Sequence, residues 1–133
     1  MRMTVKNIVW AALVLASSSS AWAGEAEQAF TGELHQCAAY YQLGSQMVAA
    51  MNAPQMAAVG ERLKNNAKEA EQLAAKYEAV DATQQAVAKA TEQMMQSTGG
   101  KGMGALMQQY KDKCQEILND PQKRLDYWVM AKM

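Results

Sequence analysis

The stretch PQMAAVGERLKNNAKEAEQLAAKYEAVDATQQAVAKATEQMMQ, residues Pro54 to Gln96, decides the fold. Its only proline stands at the first position and its only glycine is Gly60. Met56, Val59, Leu63, Ala67, Ala70, Leu73, Tyr77, Val80, Gln84, Val87, Thr91 and Met94 keep a three-and-four rhythm along it, the period of one helix face. Rhythm alone therefore permits one unbroken helix, which at 1.5 Å per residue would be roughly 60 Å long.

The cysteines argue against that rod. Cys37 and Cys114 are the only two in the chain. An unbroken second helix would leave Cys114 roughly 25 Å below Cys37 along the bundle axis. A disulfide needs its α-carbons within about 7 Å. If the segment instead folds back near Val80-Asp81, the two cysteines reach the same level. The expected fold is therefore all-α: an up-down-up-down four-helix bundle with a short C-terminal helix, stapled by one disulfide. Asp81 followed by Gln84 resembles a capping box and is expected to open the third helix.

The flanking elements follow from the same periodicity. Phe30, Leu34, Cys37, Tyr41, Gly44, Val48 and Met51 form one stripe of a first helix from about Glu27 to Met51. Gly44 sits in that stripe as a small packing position. Asn52-Ala53-Pro54 ends the helix, because the residue before proline avoids the α region, and Pro54 opens the next. Downstream, Ser97-Thr98-Gly99-Gly100-Lys101-Gly102 breaks the third helix. The fourth is expected from Met103, carrying Leu106, Tyr110, Cys114, Ile117 and Leu118 inward. Asp120 as cap and Pro121 at the first position start the terminal helix, where Leu125, Trp128 and Val129 share a face. Trp128 is expected to close that end of the bundle.

A disulfide implies an oxidising compartment, and the N-terminus reads the same way. Arg2 and Lys6, the apolar run Ile8 to Ala16 and the A-x-A site Ala21-Trp22-Ala23 make residues 1–23 a cleavable signal peptide. Residues 24–133 then form a single helical domain in the periplasm or the exterior. The apolar run is short of the ~20 residues that span a bilayer, and no cysteine stands at the cleavage site to carry a lipid. No membrane association is expected after cleavage. Residues 24–133 hold eleven Lys and Arg against thirteen Asp and Glu, which is no footprint for nucleic acid. Closing the 77-residue loop between the cysteines should stabilise so small a domain by about 4 to 5 kcal/mol on the chain-entropy model.

Chemistry-bearing motifs are few. His35, the single histidine, lies two residues from Cys37, and residues two apart on a helix do not face each other, so no thiol–imidazole pair forms locally. It reads as a surface or half-buried histidine. Gly99 to Gly104 lacks the spacing of a phosphate loop and follows a helix rather than a strand. There is no Cys-x-x-Cys for redox work and no ligand set for zinc. Catalytic residues, a metal site and a cofactor are therefore not expected, and the chain reads as a non-enzyme.

Methionine carries the remaining signal. Met47, Met51, Met56, Met94, Met95, Met103 and Met107 are scattered in sequence, yet a four-helix topology gathers them at one end. Methionine fills irregular gaps in cores and also makes adaptable apolar surfaces for partners. The expected function is an exported, non-enzymatic helical protein that binds another periplasmic or secreted protein, in an inhibitor, immunity or chaperone-like role. The alternative is a carrier of copper(I) on the methionine-rich end, since thioethers are soft ligands, or of haem on His35 with Met130. Oligomeric state is left open by the sequence.

Overall fold

The computed structural model describes residues 24–98 and 102–133, so the signal-peptide reading of residues 1–23 lies outside the described residues. The described residues form five α-helices and no strand: α1 Glu25–Ala50, α2 Ala57–Ala74, α3 Val80–Thr98, α4 Met103–Asn119 and α5 Pro121–Ala131. A 3₁₀ turn, Pro54–Met56, leads into α2. Cys37 and Cys114 are bonded, with α-carbons 5.5 Å apart.

Helix ends follow local chemistry. At the start of α1 the Gly24 backbone N–H donates to Glu27 Oε1 at 3.1 Å. At its end Asn52 takes φ +53°, a left-handed conformation that asparagine tolerates, and Pro54 then blocks continuation. Asp120 Oδ1 accepts from the Lys123 N–H at 3.2 Å, the expected cap of α5. At α3 the expectation needs correcting. The helix begins at Val80, so Asp81 lies inside its first turn instead of capping it.

Contacts between helices set their directions. Between α1 and α2, Gln42 meets Glu71 and Gly44 lies under Leu63, while Phe30 and His35 meet Tyr77 and Glu78 in the turn that follows α2. Rising numbers meet falling ones, so the two helices are antiparallel. Cys37 with Cys114, Tyr40 with Tyr110 and Gly44 with Met103 make α4 antiparallel to α1 as well. The chain leaves α2 beside His35 and enters α4 beside Gly44, and α3 covers that distance.

The break in the Pro54–Gln96 stretch falls between Ala74 and Val80, just ahead of the turn expected near Val80-Asp81. It also rotates the inward face. Before it, Ala67 and Ala70 are buried on the expected stripe and Ala74 is buried where Leu73 was expected; after it, Val87 and Met94 are buried as expected, joined by Thr83 and Ala90. Val80 and Gln84, expected inward, are exposed. A turn consumes residues without the 100° advance of a helix, so a rhythm read straight through it loses phase.

α1 is the hub. Phe30, Thr31, Glu33, Leu34, Cys37, Ala38, Ala39, Tyr40, Tyr41, Leu43 and Gly44 are all buried, which wraps burial around most of its circumference. A helix buried around most of its circumference lies at the centre of its neighbours. The single stripe expected for α1 is part of this pattern, but its upper end is not core. Val48 is half-buried and Met51 is 59% exposed. On α5, Leu125 is buried and Trp128 half-buried, while Val129 is exposed.

Candidate functional site

The upper part of α1, where Met47, Ala49, Ala50 and Met51 are exposed, lies between α2 and α4. The result is a groove of about 920 Å³ with α1 as floor and the two helices as walls. α1 contributes Tyr40, Tyr41, Gly44, Met47, Val48 and Met51; α2 and its preceding turn contribute Met56, Val59, Arg62, Leu63, Asn66 and Glu69. α4 contributes Met103, Met107, Lys111, Gln115 and Leu118, followed by Asn119 at its end. Steps of four along α4 put these on a face separate from its core stripe of Leu106, Tyr110, Cys114 and Ile117.

Gly44 makes the floor low enough for this. A Cβ built there would lie 3.2 Å from Leu63 Cδ1 and 3.3 Å from Met103 Cε, so the tips of both walls reach across the bare backbone. Of the seven methionines singled out in the sequence, Met47, Met51, Met56, Met103 and Met107 line the groove. Met94 and Met95 are not among its lining: Met94 is buried in the core at 4% exposure, and Met95 is 59% exposed on α3.

The groove changes character along its length. Toward Met51 and Met103 it is thioether and aliphatic. Toward the disulfide it is polar, with Tyr40, Tyr41, Asn66, Glu69, Lys111, Gln115 and Asn119. Burial pushes the Tyr41 phenol up to about 12, helped by Tyr40 and by the negative charge of Glu69. Burial, then the charge of Asp112, raises Tyr40 in the same direction. Both hydroxyls therefore remain protonated donors at neutral pH.

Two polar clusters elsewhere brace this scaffold. Glu33, an acid on the buried circumference of α1, accepts from Arg124 Nε at 2.7 Å, Arg124 Nη2 at 2.5 Å and Trp128 Nε1 at 2.7 Å. Lys113 Nζ lies 3.3 Å from it. One carboxylate thus ties α4 and α5 to α1. Sequence reasoning passed over Glu33, although its position three residues after Phe30 and four before Cys37 puts it next to the apolar stripe and calls for a buried cation.

His35 is half-buried, as expected, and its Nε2 pairs with Glu78 Oε2 at 2.5 Å. Thr83 Oγ1 donates to the same oxygen at 2.7 Å and to the Ala79 carbonyl at 3.2 Å. The hydroxyl faces the carboxylate and not the imidazole, so no nucleophile–base relay is assembled. The cluster fastens the α2–α3 turn to α1.

Among the described residues no group of three or more His, Cys, Asp or Glu side chains is placed to hold a metal ion. No described helix is long and apolar enough to cross a membrane. Met130, paired with His35 in the haem reading, is 74% exposed on α5. No protein-family model, no curated protein and no solved structure matches this chain. The functional reading therefore rests on the groove.

Proposed function

We propose that this chain is an exported binding protein without catalytic activity, which shields an apolar segment of another exported protein in the methionine groove. The observation that carries the reading is the convergence of five methionines from α1, α4 and the approach to α2 on one open, apolar concavity. Thioether side chains repack around differently shaped apolar partners, which suits a chaperone-like or inhibitory role. The disulfide fixes the α4 wall to the α1 floor, and the Glu33 cluster ties α4 and α5 to α1. Export follows from residues 1–23, whose features are those of a cleaved signal.

The test is site-resolved crosslinking. Cells producing the protein with a photoreactive methionine analogue are illuminated, and crosslinked peptides are mapped by mass spectrometry. Crosslinks from Met51, Met103 or Met107 to one exported protein, weakened at least tenfold by Met51→Glu and Met107→Glu, support the reading. Crosslinks confined to Met95, Met130 and Met133, exposed methionines outside the groove, would overturn it.

A further inference from the structure

The disulfide sets the register of α4 against α1, and the methionines take their levels from it. Met107 stands seven residues before Cys114 and Gly44 seven after Cys37, so on antiparallel helices of equal rise the two share a level. Met103 stands eleven before Cys114 and Met47 ten after Cys37. These two are therefore level to within about 1.5 Å, one turn higher. Cys37, Tyr40, Gly44 and Met47 advance by three, four and three along α1, which puts Met47 on the face that meets Cys114, Tyr110 and Met103 of α4.

Side-chain direction brings three of the sulfurs together. The tail of Met103 reaches down one turn, where its Cε lies 3.3 Å from the place a Cβ would take on Gly44. A helical side chain leans over the turn N-terminal to its own Cα, so on these antiparallel helices Met47 leans down toward Gly44 and Met107 leans up toward Met103. Leu63 of α2 closes the far side of the same spot. Met51, a further turn up α1, lies outside the convergence.

The donors available there are soft and uncharged. Both cysteines are consumed by the disulfide and none is free, and His35 is engaged with Glu78 near the other end of α1. Met47 and Met107 are exposed and Met103 is half-buried, so an ion in the groove reaches all three without the core opening. Zinc and copper(II) want imidazole, thiolate or carboxylate groups, and no group of three or more His, Cys, Asp or Glu among the described residues is placed to hold an ion. Thioethers select copper(I).

Going beyond the partner-binding reading, we propose that Met47, Met103 and Met107 form a three-coordinate thioether site for copper(I). Each sulfur donates a lone pair, no proton is released and no bond of the protein breaks. Isolated methionines elsewhere on the surface offer one donor each. Proximity, and not exposure, is what distinguishes the groove from Met95, Met130 and Met133, which are at least as exposed.

The experiment uses the oxidised, exported protein with ¹³C-methyl methionine, titrated with silver(I) in chloride-free buffer and then with copper(I) under argon with ascorbate. One equivalent of either ion is expected to shift the Met47, Met103 and Met107 methyl signals to saturation and to leave Met94, Met95, Met130 and Met133 in place. Zinc should shift none of them. Leucine matches methionine in volume and cannot ligate, so Met47→Leu/Met107→Leu should keep its urea midpoint while binding copper(I) about tenfold more weakly or worse, read by competition with bicinchoninate.

Shifts that grow together at every exposed methionine, without saturating at one equivalent, overturn the site in favour of independent thioethers. A response of the His35 ring in place of the three methyls overturns the ligand set, as does a double leucine variant that binds like the parent. Silver that binds where copper(I) does not overturns copper as the ion, and methyl signals unmoved by tenfold excess of both overturn the inference entirely. The site needs no second protein, so none of these results decides the crosslinking experiment.

Discussion

Glu33 and Arg124, 91 positions apart in sequence, meet in two parallel hydrogen bonds of 2.7 and 2.5 Å, and that contact pins the end of the chain to its central helix. The Glu33 side chain is only 8% exposed. Burial pushes its pKa up, but the hydrogen bonds from Arg124 and Trp128 and the charges of Arg124 and Lys113 outweigh burial and hold it below 4.5. A carboxylate with a depressed folded pKa stabilises the fold above its unfolded value and loses that contribution as pH falls through the folded one. Stability in urea should therefore be flat on this account from pH 7 to about 5 and fall below pH 4.5. Glu33→Gln should cost about 2 kcal/mol at pH 7, because it leaves a partly buried guanidinium unpaired, and should flatten the acid limb. An acid limb equally steep in the variant would remove Glu33 from the explanation.

The disulfide closes a loop of 77 residues, and both sulfur-bearing residues are fully buried. Loop closure of that length predicts that Cys37→Ala/Cys114→Ala lowers unfolding free energy by about 4 kcal/mol, read from urea denaturation. Burial adds a kinetic expectation. In the folded state reductant reaches the bond only through unfolding, so thiol release in dithiothreitol should follow the unfolding rate as urea is varied. Rapid release from the native protein would mean that α1 and α4 separate locally.

How far the fold could be read from the chain depended on where its signals were covalent and where they were periodic. The turn after Ala74 contains neither glycine nor proline, and only the level of Cys114 against Cys37 announced it. The same turn hid the phase of α3: Thr83 replaced Val80 and Gln84 inside, since side-chain rhythm cannot count residues spent in a turn. The central place of α1 was hidden too. Ala38, Ala39 and Thr31 are too small or too polar to register as a hydrophobic face, yet all three are buried. The methionine end was legible as topology, but Met94 and Met95 were misassigned to it: Met94 goes into the core, as its place in the three-and-four rhythm implied, and Met95, about 100° around α3, is exposed outside the groove. The polar end escaped notice because Tyr40, Tyr41 and Lys111 form a group only after α1, α2 and α4 are placed.

That turn is fastened chiefly by Glu78, whose Oε2 takes both His35 and the buried Thr83. Removing the carboxylate leaves a buried hydroxyl with only the long bond to the Ala79 carbonyl. Glu78→Ala should destabilise the protein by about 1 to 2 kcal/mol, with Thr83→Val restoring part of that loss in the double variant, because it removes the orphaned group. Hydrogen exchange gives a local readout. Amides at the start of α3 should lose protection in Glu78→Ala before those of α4 do. Uniform loss across all helices would show that the turn opens only with the whole fold.

Gly32 and Gly44 share α1 but predict opposite consequences of adding a side chain. A Cβ at Gly32 would meet nothing within 4 Å, so Gly32→Ala should gain the helix propensity alone, about 0.5 to 1 kcal/mol. At Gly44 the same Cβ would crowd the flexible ends of Leu63 and Met103, and Gly44→Ala should come out near zero as propensity and repacking offset each other. Gly44→Leu carries the functional test. Its side chain would rise through the floor between Leu63 and Met103 and occupy the space proposed for the partner. The fold should survive with a cost of about 1 to 3 kcal/mol, since the crowded atoms border an open groove, while partner binding falls at least tenfold. Urea denaturation and titration with the crosslinked partner read the two effects separately. A Gly44→Leu protein that is folded and binds as the parent does would place the interaction somewhere other than the groove.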